Sequence, residues 1–274
     1  MDDIKLQYDG FINTPLLWEN HDIMGLTQLE LPMQSPFQFN ETIQRNLRLG
    51  KRVERFVIAE LNQQPNIEIL LENIQIRQGK ITIGEVDCIL KQNGIPIHLE
   101  IIYKFYLYDP SAGTTETEHW IGPNRKDSLV QKLNKLKDKQ LPLIYKDQAK
   151  SVLEGIHVMP EDIVQRVCFK AQLFTPYKVN QENFDLINSD CLKGFYLNYV
   201  DLDKVSHCQF YIPSKADWLN EVQSQVDWIS FSQFKECITP QILGKRAPLC
   251  WIKYPNGETS KFFVVWWEVN EIMK

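Results

Sequence analysis

Two stretches decide the fold of this chain, Gly84-Glu-Val-Asp-Cys-Ile-Leu90 and Ile97-His-Leu-Glu-Ile-Ile-Tyr-Lys-Phe-Tyr106. Both predict β-strands, because Ile, Val, Leu and Tyr dominate them, and Asn93-Gly94 between them predicts a tight hairpin turn. Asp87 and Glu100 place carboxylates within these apolar strands. Acids seldom face inward on such strands unless a cation lies nearby. The pair therefore points to a site for a hard divalent cation, which prefers oxygen ligands.

A helix before these strands supplies a third acid. It is predicted over residues 40–63, because apolar residues recur there at helical spacing. Glu54 falls inside the apolar arc of this helix, whereas the bases Arg48 and Arg52 fall outside it. We therefore expect Glu54 to face the core side and its basic neighbours to face solvent or a ligand.

The remaining pattern predicts an α/β (α+β) fold. Three strands form a meander over residues 67–77, 81–91 and 95–108, and a helix from Asn124 or Asp127 to Pro142 and a strand over 164–173 follow. Gln140 falls on the apolar stripe of that second helix. Later, short helices are predicted over 215–225 and 230–237, and a hairpin over 249–265. We divide the chain into an N-terminal extension (1–40), a core (41–176) and an aromatic-rich C-terminal α+β region of unknown role (177–274).

Composition excludes several classes of protein. The chain has 274 residues, 43% hydrophobic and 24% charged, as in a soluble globule rather than a disordered chain. It opens without a basic-then-apolar signal sequence, and its late apolar run, 262–267, is too short to span a bilayer, so we expect a cytoplasmic protein without a membrane partner. No two of the six cysteines are closer than Cys191 and Cys208, which argues against a zinc ribbon or a redox pair.

Two stretches are strongly basic although the net charge is −5. Residues 44–55 carry five bases against one acid, and residues 122–150 carry eight bases against three acids. Two basic helices could form a stripe that binds nucleic-acid phosphates, and the alternative is that both are solvated helix faces. The residues predicted to make the nucleic-acid contacts are Arg48, Arg52, Arg125, Lys126, Lys132 and Gln140.

The order of helix, meander, helix and strand, with acids at these positions, resembles the PD-(D/E)XK superfamily of nucleases. The stretch Gly84–Leu90 resembles the Gly-Glu-x-Asp-apolar strand of its resolvase branch. The resemblance implies a restriction-endonuclease-like core and a Mg²⁺ (or Mn²⁺) ion held by Asp87 and Glu100 with help from Glu54. It also implies Lys104 as the group that orients water, and DNA as the favoured substrate.

The chain also resembles a narrower bacterial family, the domain-of-unknown-function family numbered 1853. The stretch Glu100-Ile-Ile-Tyr-Lys-Phe-Tyr-Leu107 is similar to that family's Glu-x-x-x-Lys-Phe-Tyr-Leu. A second similarity begins at Gly122-Pro-Asn and continues through Asp127, Leu129 and Gln140-Leu-Pro-Leu143. This resemblance extends over most of the chain, and it implies a fold without assigning a reaction.

One departure from the superfamily leaves the function open. Its lysine lies two residues after the acid, where this chain has Ile102, and Lys104 lies two residues further on the same face. The leading hypothesis is a metal-dependent nuclease with Glu54, Asp87, Glu100 and Lys104 as its catalytic residues. The first alternative is a catalytically degenerate module that binds nucleic acid or protein on the same fold. The second is a scaffold that works through its aromatic C-terminal region.

Overall fold

We describe a computed structural model of the chain, which covers residues 4–30, 39, 41–44, 46–179 and 184–267. The chain divides into two compact units. The first unit takes its residues from Met1–Pro15, Lys104–Val130 and Ala171–Lys274, and the second takes Leu16–Tyr103 and Gln131–Lys170. The predicted boundaries at residues 40 and 176 stay a prediction of how the chain is organised.

The described residues form five α-helices and nine strands. The helices are α1 (Ile4–Ile12), α2 (Leu49–Asn62), α3 (Leu129–Lys135), α4 (Lys150–Gly155) and α5 (Phe231–Leu243). The strands are β1 (Ile67–Gln78), β2 (Ile81–Gln92), β3 (Ile95–Tyr108), β4 (Trp120–Ile121), β5 (Val164–Pro176), β6 (Leu192–Asn198), β7 (Gln209–Tyr211), β8 (Leu249–Lys253) and β9 (Thr259–Val265). In the described part of the chain, no helix has the length and apolar character needed to cross a membrane.

The second unit contains the predicted meander. Strand β1 pairs antiparallel with β2 from Ile67↔Gln92 to Gln78↔Ile81, and β2 pairs antiparallel with β3 from Cys88↔Leu99 to Gln92↔Ile95. The β2–β3 turn is tight because Asn93 and Gly94 both adopt positive φ, +51° and +82°. The core under this sheet is apolar and includes Val86, Ile89, Leu143 and Leu153. The meander and its turn confirm the prediction.

The helix before the meander starts later than predicted. Residue 40 lies outside the described residues, and α2 begins at Leu49, without a side-chain cap at Arg48. Ile43 lies before the helix but is buried. Its burial explains why the apolar periodicity predicted an earlier helix start. The predicted second helix is also shorter, because α3 passes into a π turn (Leu136–Gln140) and then a 3₁₀ turn that contains Pro142.

The first unit contains a mixed sheet. Strand β6 pairs parallel with both β5 and β9, and β8 pairs antiparallel with β9 and β7. The β8–β9 pair confirms the predicted hairpin. Strand β6 approaches β9 closely at Gly194, where a Cβ would lie 2.0 Å from the Lys261 carbonyl oxygen. Helix α5 packs Phe234 and Ile238 on this sheet, against Phe210 and Phe262.

The predicted helix over 215–225 is wrong in extent, because only Ala216–Trp218 form a 3₁₀ turn. Within this turn the Ser214 hydroxyl donates to Asp217 Oδ2 at 2.6 Å. The aromatic C-terminal residues form a packed core, with Phe210 stacked on Phe234 at 4.2 Å between ring centroids. The structure therefore confirms a mixed α/β architecture with a large mixed sheet.

Candidate metal centre

Three carboxylates of the second unit converge. Glu54 from α2 and Glu85 and Asp87 from β2 each offer an oxygen, and these oxygens all lie within 4.8 Å of one another. Glu85 and Asp87 share a face of β2 because they are two residues apart. Glu54 is only 8% exposed, as expected from its place in the apolar arc of α2. The convergence of Glu54 and Asp87 agrees with the sequence prediction, and Glu85 joins them.

Asp87 sits where the pairing of β2 with β3 begins. The paired residues start at Cys88↔Leu99, and the Asp87 carboxylate accepts a hydrogen bond from the Ile101 amide at 2.9 Å. Burial raises the pKa of Asp87 to about 7, and the negative charge of Glu100 adds to this effect. Asp87 is therefore a carboxylate whose charge is costly in the absence of a nearby cation.

Glu54 experiences the same unfavourable environment. Burial is the largest cause that raises its pKa, and the charges of Glu85 and Glu100 raise it further. The hydrogen bond from Lys51 acts in the opposite direction without cancelling the rise. Two of the three converging acids are thus destabilised as anions.

Lys51 is the ammonium group beside these acids. Its Nζ lies 2.7 Å from Glu54 Oε2, contacts Glu85 Oε1 and donates to Asn73 Oδ1 at 2.7 Å. Burial lowers the pKa of Lys51, but the hydrogen bonds to Glu54 and Glu85 outweigh burial and raise that pKa above 10.5. Lys51 stays charged at neutral pH and offsets part of the acidic charge.

Glu100 takes part in a chain of hydrogen bonds, one of them buried and two partly buried. It is fully buried, its Oε1 lies 3.1 Å from His98 Nε2, and its Oε2 accepts from Gln140 Nε2 at 2.5 Å. Gln140 Oε1 in turn accepts from Lys132 Nζ at 2.7 Å. Glu100 does not belong to the group of three acids whose oxygens lie within 4.8 Å of one another. Its charge nevertheless raises the pKa values of Asp87 and Glu54. The inward direction predicted for Gln140 is confirmed.

Lys104 makes a different contact from the one expected for it. Its Nζ lies 2.6 Å from Asp127 Oδ2, and both residues belong to the first unit, whereas the acids belong to the second. This contact joins a residue of the Lys-Phe-Tyr-Leu motif to a residue of the Gly-Pro-Asn…Asp motif. Its assignment as the group that orients water stays a prediction.

The predicted nucleic-acid contacts are spread over different environments. Arg48 and Lys126 are exposed. Arg125 is engaged, since its guanidinium lies 2.6 Å from Asp109 Oδ2 and 4.1 Å above the Trp267 ring. Arg52 is fully buried, so it does not face solvent, and its predicted contact with a ligand stays a prediction. The wheel placed it outside the apolar arc, but the residues before α2 cover that side as well: Arg52 Nη2 lies 3.4 Å from the Gln44 carbonyl oxygen.

The residues present fit a hard divalent cation. Their ligand atoms are all carboxylate oxygens, and Mg²⁺ and Mn²⁺ prefer oxygen donors. A cation beside Asp87 would also offset the burial and the repulsion that together raise its pKa. All six cysteines lie among the described residues, none of them forms a disulfide there, and five of them are buried.

The comparison with protein families places the chain. The model of a domain of unknown function, DUF1853, matches residues 21–265. The chain belongs to this family. The comparisons with curated proteins and with solved structures each gave no match. The match covers both the converging acids and the Lys104–Asp127 pair, so both are features of the DUF1853 region.

Sequence reasoning missed two residues of the centre. Glu85 carried a signal, because it shares a strand face with Asp87. Lys51 carried part of a signal, because it lies three residues before Glu54 on the helix, but its contact with Glu85 depends on how α2 lies over the strands.

Proposed function

We propose that this DUF1853 protein hydrolyses phosphodiester bonds of nucleic acid, with DNA the favoured substrate, and that it requires Mg²⁺ or Mn²⁺. The observation that carries the proposal is the convergence of Glu54, Glu85 and Asp87 within 4.8 Å beside the ammonium of Lys51. Supporting it, the helix, the meander and the next helix follow in the order that the PD-(D/E)XK nucleases use. We assign the core to that superfamily as part of the proposal.

The acids have distinct roles in this proposal. Glu54, Glu85 and Asp87 hold the cation, and Asp87 must lose its proton to do so, which happens near pH 7. Glu100 adds negative charge to the site and is kept in place by His98 and Gln140. The cation, when bound, polarises the phosphodiester and makes water a stronger nucleophile.

In this proposal Lys51 takes the role that the resemblance to the superfamily implied for Lys104. It is the lysine seen in contact with the converging acids, and its ammonium can orient the attacking water and offset negative charge on the phosphate. Hydrolysis adds one water across the P–O bond, so the products are a phosphate monoester and an alcohol. No other reactant is needed.

The second candidate is a module that binds nucleic acid without cleaving it. The observation that favours it is that Lys51 already forms ion pairs with Glu54 and Glu85, which offset part of their charge, and that Lys104 is paired with Asp127. It predicts salt-dependent binding to DNA and no product in any divalent cation.

The test is cleavage of linear, nicked, branched and single-stranded DNA in Mg²⁺ and in Mn²⁺. The proposal predicts cleavage by the wild type and loss of at least about 10²-fold in Asp87→Ala and Glu85→Ala, as expected when a group that stabilises the transition state is removed. Glu68→Gln is the control, because Glu68 is an exposed acid of the same sheet. Cleavage that Asp87→Ala leaves unchanged would remove the centre from the mechanism.

A further inference from the structure

Lys215, in the first unit, holds an ammonium group in an unusual position. Its Nζ lies 3.1 Å from the centroid of the Trp218 ring and 5.7 Å from that of Phe105. The Trp218 ring is itself fixed, since Phe105 and Phe263 pack edge-on against it at 5.3 and 5.2 Å. Within the described ranges, Lys215 has no ion-pair partner. A cation held by an aromatic face is positioned in advance and remains able to bind an anion.

The ammonium of Lys104 lies near enough for its charge to act on Lys215. Lys104 Nζ is 2.6 Å from Asp127 Oδ2, and the side chains of this pair are 34% and 41% exposed. Asp127 is held by its loop: the Gly122 amide donates to the Asp127 carbonyl at 2.7 Å, and a Cβ on Gly122 would lie 2.0 Å from Asp127 Oδ1. Lys104 therefore projects from β3 in a defined direction.

These groups leave an excess of positive charge. Although the residue as a whole is exposed, burial of its ammonium and the charge of Lys104 together lower the pKa of Lys215 to about 8, while Asp127 acts in the opposite direction. Two ammonium groups face one carboxylate, so one positive charge is left over at neutral pH. An anion that reached both lysines would remove the repulsion between them.

We propose that Lys215 and Lys104 form a site for a phosphate group, and that this phosphate is a phosphodiester of a nucleic-acid backbone. The Lys104–Asp127 pair is partly exposed, which supports a backbone phosphodiester as the bound group. A site open to solvent contacts a phosphate from one side only, and the phosphates of a nucleic-acid backbone can be bound in this way. Only the choice of nucleic acid rests on the proposed function. The contact is independent of the converging acids and of any cation.

The test is binding of a labelled DNA duplex in EDTA, so that no cleavage occurs, over a range of salt concentrations. Each phosphate contact changes the slope of log K against log[salt] by about 0.9. Lys215→Gln should therefore flatten the slope by about 0.9 and weaken binding about eightfold at 0.1 M salt, with the loss shrinking as salt rises. Lys253→Gln is the matched control, because that lysine also lies over an indole ring, 5.8 Å from the Trp228 centroid, and is not part of the proposed site. It should bind as the wild type does.

A pH series separates a phosphate contact from a change in folding. Raising the pH from 7 to 9.5 should weaken binding by the wild type, because Lys215 loses its proton, and should leave Lys215→Arg unchanged, because arginine stays charged. Lys104 and Asp127 are the charged groups facing Lys215, and both are present in the two proteins. Equal pH dependence of the wild type and Lys215→Arg would overturn the proposal.

Three further outcomes would also overturn it: an unchanged salt slope in Lys215→Gln, absence of duplex binding by the wild type, or displacement of the duplex by millimolar inorganic phosphate at constant ionic strength. The last would assign the site to free phosphate. Hydrolysis of bis(4-nitrophenyl) phosphate in Mn²⁺ reports the proposed function separately, because so small a diester needs no backbone contact. If the protein binds DNA through Lys215 but does not hydrolyse this diester, the proposed hydrolase function is rejected and the proposed phosphate site is retained.

Discussion

Replacing Asp87 with Asn tests whether this carboxylate is held at a cost in free energy. Asn keeps the size of the side chain, and its carbonyl oxygen can still accept the hydrogen bond from the Ile101 amide. The substitution removes only the charge. Its effect on stability should therefore depend on whether Asp87 is ionised at the pH of the measurement.

The structure gives the sign and the size of this effect. The pKa of Asp87 is raised from 3.8 to about 7, so between these values the folded protein keeps a proton that the unfolded chain releases, and the free energy of unfolding falls as pH rises. Each unit of pKa corresponds to about 1.4 kcal/mol, so the full cost above pH 7 is at most about 4 kcal/mol. Relaxation around the site reduces the cost, and we expect about 2 to 4 kcal/mol.

The assay is urea unfolding in EDTA at pH 5 and pH 8. At pH 5 the folded protein keeps the Asp87 proton that the unfolded chain has largely released, so Asp87→Asn should already be more stable than the wild type, but by only about 1 to 1.5 kcal/mol. At pH 8 it should be more stable than the wild type by about 2 to 4 kcal/mol. Asp162→Asn is the control, because Asp162 is exposed, and it should show no such dependence on pH. An equal difference at both pH values would mean that Asp87 ionises without cost, and the electrostatic reasoning would fail.

Three other predictions concern charge and packing. Lys51→Met should strengthen Mg²⁺ binding about tenfold, because no ammonium then repels the cation beside Glu54 and Glu85. Equal or weaker binding in calorimetry would contradict this prediction. Burial lowers the pKa of Lys261 from 10.5 to about 8, so the wild type should gain stability between pH 8 and pH 10, and Lys261→Met, followed by urea unfolding, should lack that gain. Gly194→Ala should destabilise the fold by more than about 3 kcal/mol, because the added Cβ would meet the Lys261 carbonyl. Gly50→Ala adds a Cβ in open space on α2 and should stabilise the fold by about 0.5 to 1 kcal/mol. Thermal unfolding of the two variants measures both effects.

Local signals explain how much of the second unit was predictable. Alternating apolar residues and Asn93-Gly94 fix the meander, because both act within a few residues of the chain. The same periodicity places Glu54 and Gln140 inward. The acids of the centre follow from strand and helix faces alone, which is why Asp87 and Glu54 were predictable.

Contacts between distant segments were not predictable. Lys51 reaches Glu85 across 34 positions of sequence, and Lys104 reaches Asp127 across 23. A long lysine side chain can find any carboxylate within its reach, so spacing on one strand does not determine its partner. Arg52 is buried for the same reason, since residues outside the helix cover the side that the wheel left open.

The parallel pairs of the first unit lacked a local signal too. Strand β6 pairs with β5 and with β9, and neither pair is joined by a short turn. The β8–β9 hairpin in the same unit was predictable because Asn256-Gly257 lies between its strands.

The central claim is that Glu54, Glu85 and Asp87 bind one divalent cation, and calorimetric titration with Mg²⁺ and with Mn²⁺ at pH 8 tests it most directly. The account predicts saturable one-to-one binding by the wild type and by Glu68→Gln, and loss of that binding in Asp87→Ala and Glu85→Ala. Binding should also weaken at pH 5, where Asp87 holds a proton. Absence of binding by the wild type, or binding that Asp87→Ala leaves unchanged, would contradict the claim.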